Sequence, residues 1–153
     1  YKIYPKIVMD DENKVSPIDK FTPLYKNSKN IKIVQDAMFA STNEVRGTSY
    51  RSRIDNPKYQ FAGKTGTAQV KKITERDREL DLKTFQIPYE ERDHALYIAY
   101  GPYKNPRYAV SILVEHGGNG STTAAPMAKK LFKTIIDRHQ LRESINNKKY
   151  LDI

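Results

Sequence analysis

Residues Phe61 to Val70 read FAGKTGTAQV, a stretch that two punctuations turn into different chemistry. Read as Gly-Lys-Thr it points to a nucleotide-binding loop. That loop requires the pattern G-x-x-x-x-G-K-[ST], with a helix opening at the lysine so that its N-terminus faces phosphate. Here the first required position is Lys58, and the intervening residues are Tyr59, Gln60, Phe61 and Ala62. Gly66, flanked by Thr65, Thr67 and Val70, disfavours a helix after Lys64. The phosphate-loop reading fails. Read as Lys-Thr-Gly on a strand, Lys64 and Gly66 share one face while Thr65 and Thr67 share the other. A glycine inside a strand marks close approach by a ligand or another backbone. An ammonium beside hydroxyls suits a carboxylate, and an edge N–H suits a developing oxyanion. A bare K-T-G triplet also fits a bent strand with a solvated lysine, and since three residues readily occur by chance that plainer reading wins for the motif alone.

Working outward, Ala95–Tyr100 and Arg107–Glu115 are β-rich runs separated by Gly101-Pro-Tyr-Lys-Asn-Pro106, which predicts an antiparallel hairpin. Three strands are expected, near residues 60–71, 95–101 and 107–115. The glycine-rich His116–Gly120 ends the last of them, and Ser121 or Thr123 is placed to cap a helix after it. Ala128, Leu131, Phe132, Ile135 and Ile136 recur at helical spacing, predicting an amphipathic helix packed on the sheet. Residues 143–153 are expected to fray. Upstream, Asn30 is placed to cap a helix carrying Ile31, Val34 and Met38. Residues 1–9 suit a short edge strand, 10–29 a loop, and 71–94 a charged excursion between strands. The fold class is α+β, an antiparallel sheet packed by two helices.

The chain has 153 residues, one domain's worth, with 38% hydrophobic and 29% charged residues, which excludes a disordered composition. No apolar run approaches the ~20 residues of a membrane-spanning helix. The opening at Tyr1 with YKIYPKIV is neither a start methionine nor a leader, so a piece of something longer is expected. Zero cysteines exclude disulfides and thiolate catalysis without fixing the compartment. The net charge of +9 is spread along the chain without a stripe of stacking aromatics, so nucleic-acid binding is not expected. His94, His116 and His139 lie far apart with no paired ligand spacing, so neither a metal site nor a serine-histidine triad is assigned. No cofactor is called for. His116 reads as a structural residue beside the glycine turn.

KTGTAQV, then RDHALYIAYGPY, then RYAVSILVEHGGNGSTTAAP ahead of an amphipathic helix, resembles the C-terminal part of the transpeptidase domain of class B penicillin-binding proteins. More narrowly it is similar to the penicillin-binding protein 2 branch that serves cell elongation, and the resemblance runs over nearly the whole chain. It implies a serine-type D-Ala-D-Ala transpeptidase, anchored in the bacterial inner membrane with this domain in the periplasm. Its serine takes the D-Ala-D-Ala end of a peptidoglycan stem peptide as an acyl-enzyme and passes the acyl group to a neighbouring amine. β-Lactams mimic that donor, and other membrane proteins of the elongation machinery are implied as partners. Carried to this sequence, Lys64 holds the carboxylate, Thr65 lends its hydroxyl, Gly66 gives clearance, and Thr67 offers its N–H to the oxyanion. The missing strands and helical subdomain are implied to lie upstream, leaving an open strand edge that favours self-association of this chain.

The nucleophile motif S-x-x-K occurs at no serine of the chain, so this piece alone is expected to be inactive. Ser28-Lys29-Asn30 and Ser41-Thr42-Asn43 match the family's S-x-N element, but that element belongs far before K-T-G, and neither is assigned. Two other readings stand beside the leading one. A β-lactamase or β-lactam sensor of the same superfamily would share K-T-G, and a non-catalytic basic module would carry it by accident.

Overall fold

The computed structural model describes residues 25–72, 75–80 and 82–151; the edge strand and most of the loop expected before residue 25 lie outside them. Two compact units divide the chain, residues 1–34 and 35–153. Helix α1 spans Ser28–Asn43. It begins earlier than the Asn30 cap expected from sequence, because the Asn27 side chain accepts the Lys29 N–H at 2.9 Å and takes the capping position instead. Ile31, Ile33 and Val34, in the first unit, are exposed.

In the second unit three strands form one antiparallel sheet, β1 (Ala62–Ala68), β2 (His94–Gly101) and β3 (Tyr108–Val114), in the order β1-β2-β3. These are the three strands legible in the sequence. The register pairs Lys64 with Ile98 and Gly66 with Leu96, and Tyr97 with Ile112 across β2 and β3. Between β1 and β2 the charged excursion holds a short helix, α2 (Glu75–Leu80), and two 3₁₀ turns. Its base is tied down: Val70 N–H donates to Asp93 Oδ1 at 3.1 Å, and Lys71 meets Glu91 at 2.6 Å.

Strand alternation sorts the sheet into two faces. On the inner face Phe61, Ala95, Tyr97 and Ala99 are buried under the long helix α3 (Ala124–Leu151), which contributes Ala124, Ala125, Ala128, Phe132 and Ile136. Alanines face alanines where α3 begins, so helix and strand lie close. Phe132 then stacks on Phe61 with centroids 5.0 Å apart. The buried seam of α3 is narrower than the apolar stripe read from sequence, for Leu131 is 40% exposed and lies on its flank. Neither proposed hydroxyl caps α3. The Gly120 carbonyl takes the Ala125 N–H at 2.9 Å, and the Thr123 hydroxyl donates to Gly117 O at 2.8 Å. The helix runs through Leu151, and no proline or glycine interrupts it after residue 143.

The outer face carries Lys64 with Leu96, Ile98 and Leu113, of which Ile98 and Leu113 are about half exposed. Leu96 is partly buried, and among the described residues the outer edge of β3 pairs with no strand.

Candidate functional site on the edge of the first strand

Among the described residues strand β1 is an edge strand, and its free side is closed for only half its length. At the closed half, Asn43 from the end of α1 donates to Phe61 O at 2.9 Å, and the Thr42 hydroxyl reaches Gly63 O at 3.5 Å. The carbonyls of Phe61 and Gly63 therefore point outward. By antiparallel alternation the N–H and C=O groups of Thr65 and Thr67 do the same, and among the described residues no strand pairs with them. The Lys64 side chain curls round the edge to donate to Thr65 O at 2.7 Å. An ammonium, two hydroxyls and two outward backbone N–H groups are thus gathered along a short open stretch of strand. Such a set can hold a carboxylate and an oxyanion, and an extended peptide can add to it as a further strand.

The four residues singled out from sequence sit together. Lys64 and Thr67 are exposed, while Thr65 and Gly66 are half-buried. Gly66 is crowded on the outer face of the sheet, where a Cβ would meet the Leu96 Cβ at 3.2 Å. The loop before α3 lies directly on it, and a Cβ on Gly120 would stand 2.5 Å from both Gly66 O and Leu96 O. That approach is onto backbone atoms, so Gly120 seats the loop under the strand.

What holds β1 in place is a buried polar set centred on Tyr97. Tyr97 is fully buried on the inner face, and its hydroxyl lies 2.8 Å from Thr42 Oγ1 and 3.1 Å from Ser49 Oγ. Burial pushes the Tyr97 hydroxyl above its ordinary value, partly offset by the bonds to Ser49 and Thr42. The tyrosine oxygen occupies the space of the missing side chain at Gly63, where a Cβ would approach it to 2.3 Å. The helix end, the 47–52 turn and β2 therefore converge on the strand just before Lys64. The Ser41-Thr42-Asn43 match belongs to this structural set, as its contacts with Phe61, Gly63 and Tyr97 show.

The histidines also sort themselves. His94 and His116, distant in sequence, meet edge-to-face at 4.8 Å, with the His116 N–H donating to His94 Nδ1 at 2.9 Å. His116 holds a left-handed φ of 53° at the end of β3 and bonds Arg92 O through Nδ1 at 3.1 Å. Together with the Gly118 N–H on Asp93 O at 2.8 Å, these contacts fasten the excursion's return beside the loop under Gly66. Elsewhere, His139 lies between Tyr108, Arg107 and Glu143 on α3. Among the described residues no three His, Cys, Asp or Glu side chains converge as a metal set.

The penicillin binding protein transpeptidase domain profile matches residues 2–136. A peptidoglycan D,D-transpeptidase MrdA from Salmonella typhimurium strain SL1344 is 36% identical over 105 residues, 69% of this chain and 16% of that protein. One from Haemophilus influenzae is 38% identical over 101 residues, 66% of this chain and 15% of that protein. Among solved structures, the complex between penicillin-binding protein PBP2 and MreC from Helicobacter pylori superposes with a TM-score of 0.58 at 31% identity, covering 78% of this chain and 20% of that chain. Pseudomonas aeruginosa PBP2 in complex with WCK 5153 gives 0.51 at 31% identity, covering 70% of this chain and 19% of that chain. The chain thus spans about a sixth of the length of the curated relatives it matches.

Proposed function

This chain belongs to the penicillin-binding protein transpeptidase domain family, and from that premise we propose that it is the C-terminal part of a peptidoglycan D,D-transpeptidase. In this reading β1 is the wall of the active site that receives the donor peptide. Lys64 holds the terminal carboxylate of D-Ala-D-Ala or of a β-lactam. Thr65 adds its hydroxyl, and the outward N–H of Thr67 faces the oxyanion of the tetrahedral intermediate. One such oxyanion donor is worth roughly 2.7 to 4 kcal/mol of barrier in acyl-transfer enzymes. The serine that forms the acyl-enzyme and its lysine partner lie outside these residues, since no S-x-x-K occurs among them. The observation that carries the reading is the open, outward-facing half of β1 next to Lys64.

The outer face of the sheet, with Lys64, Leu96, Ile98 and Leu113, turns toward the part of the domain bearing the nucleophile, which accounts for its exposed apolar residues. The domain works in the periplasm, joined to an inner-membrane anchor outside this chain; among the described residues no helix is long and apolar enough to cross a membrane. Other membrane proteins of the elongation machinery are its partners, in line with the MreC complex of the Helicobacter pylori relative. On its own the chain pairs with a second copy through the open edge of β3, and a strictly monomeric sedimentation profile at high concentration would refute that.

Labelling with a fluorescent penicillin tests the function. The full-length protein is labelled covalently, the isolated chain is not, and Lys64→Ala in the full-length protein slows labelling roughly 10- to 100-fold. Covalent labelling of the isolated chain would overturn the placement of the nucleophile.

A further inference from the structure

We propose that Thr48 is a positioning residue for the carboxylate site, acting through the hydroxyl of Thr65; this rests on the reading of β1 as the wall that receives the substrate carboxylate. Thr48 lies in a polar stretch that the sequence marks for no role. Its two neighbours, however, are fixed on either side. Gly47 wraps so tightly onto the end of α1 that a Cβ there would stand 2.3 Å from Ser41 O and 2.5 Å from Ala40 O. Ser49 is buried, its N–H and its hydroxyl both donating to Ser41 O at 3.0 Å.

Between these anchors the Thr48 side chain emerges at the surface with its hydroxyl 3.3 Å from Thr65 Oγ1 and 3.1 Å from Ser41 Oγ. Three hydroxyls, Ser41, Thr48 and Thr65, therefore stand in a row that ends at the open half of β1. Each hydroxyl has one proton to give and two lone pairs to receive. The row can be polarised either way, and its direction matters at the Thr65 end. If Thr65 gives its proton to Thr48, it presents only lone pairs to an anion. If Ser41 donates to Thr48 and Thr48 to Thr65, the Thr65 proton is left for the carboxylate, and each bond strengthens the next. An arriving carboxylate selects the second direction, and the seating of Thr48 by Gly47 and Ser49 holds the relay ready for it. The 3.3 Å gap closes by a few tenths of an ångström as the row is polarised toward a charged acceptor.

The test uses the full-length protein and a fluorescent penicillin with a free carboxylate, measuring the second-order acylation rate. Thr48→Val slows acylation about fivefold, the scale of one ordinary hydrogen bond, and Thr48→Ser restores it. In a Thr65→Val background the same Thr48→Val change has no further effect, because its route to the carboxylate is gone. A Thr48→Val rate equal to wild type, or the same slowing in the Thr65→Val background, overturns the proposal. Should Thr48→Val lower the melting temperature, Ser41→Ala decides. That change keeps the backbone carbonyl that seats Ser49 and removes only the far hydroxyl, giving a smaller slowing that also vanishes with Thr65→Val, and no slowing refutes the relay. Absence of labelling in the wild-type protein would instead sink the transpeptidase reading itself, a result distinct from any outcome for Thr48.

Discussion

Replacing Tyr97 by phenylalanine removes one oxygen from the buried set beneath β1 and leaves the ring in place. The cost depends on where the remaining protons go. Ser49 keeps its donation to Ser41 O at 3.0 Å. Thr42 keeps its contact to Ser49 Oγ at 3.3 Å and the longer ones to Met38 O at 3.4 Å and Gly63 O at 3.5 Å. The variant loses the proton Tyr97 gives within the set and the acceptor it offers, at 2.8 and 3.1 Å. At roughly 0.5 to 1.5 kcal/mol for each net hydrogen bond, the expected destabilisation near neutral pH is about 1 to 2 kcal/mol. A second signature is specific to the hydroxyl. Burial raises the Tyr97 pKa above its ordinary 10.0. Above that pH the unfolded chain loses a proton that the folded chain retains. The unfolded state then binds fewer protons, and stability falls as pH rises, by about 1.4 kcal/mol per unit until the folded tyrosine also ionises. Below that pH the contribution is fully present. Urea unfolding followed by far-UV circular dichroism, for wild type and Tyr97→Phe between about pH 7 and 11, measures both effects. Subtracting the two curves cancels the other tyrosines and the lysines. The gap between them should narrow above the ordinary tyrosine pKa, since the phenylalanine variant lacks this alkaline loss. A variant as stable as wild type at pH 7, or a gap that stays constant into alkali, would refute the reasoning.

Gly120→Ala places a methyl 2.5 Å from two backbone carbonyl oxygens that cannot swing aside, so it should cost more than about 2 kcal/mol in the same unfolding assay; a change within about 0.5 kcal/mol would show that the loop does not lie on β1. Asp137 on α3 accepts the Tyr59 hydroxyl at 2.5 Å and pairs with Lys58 at 3.2 Å, and these two contacts hold its carboxyl below the usual 3.8. A depressed carboxyl gives stability that is present above the unfolded value and lost as pH falls through the folded one. Asp137→Asn should therefore flatten the acid limb of the melting-temperature profile below about pH 4 while leaving the alkaline limb alone; equal acid slopes in the two proteins would exclude the contribution.

The residues that could be read from sequence and those that could not differ in how far away their reasons lie. K-T-G on a strand was legible because strand alternation is local: Lys64 and Gly66 on one face and Thr65 and Thr67 on the other follow from spacing alone, as does the hairpin of β2 and β3. The reasons for Gly63 and Gly120 were not local. One answers to a tyrosine oxygen on β2 and the other to the backbone of Gly66 and Leu96, and a glycine in a sequence pattern says only that something comes close, never what. Tyr97 reads in sequence as one more aromatic in a β-rich run. Its hydroxyl acquires meaning only when α1 delivers Thr42 and the following turn delivers Ser49 to the same point. Thr48 was hidden for the same reason, since its neighbours Gly47 and Ser49 are fixed by contacts with α1. The helix that sequence marked out for its apolar spacing thus matters most at its last, polar turn. Thr42 and Asn43, within a chance match to a catalytic motif, tie the strand that carries Lys64 to the body of the fold. Its polar residues close one half of an edge strand, and side chains that end a helix can do so without adding a strand.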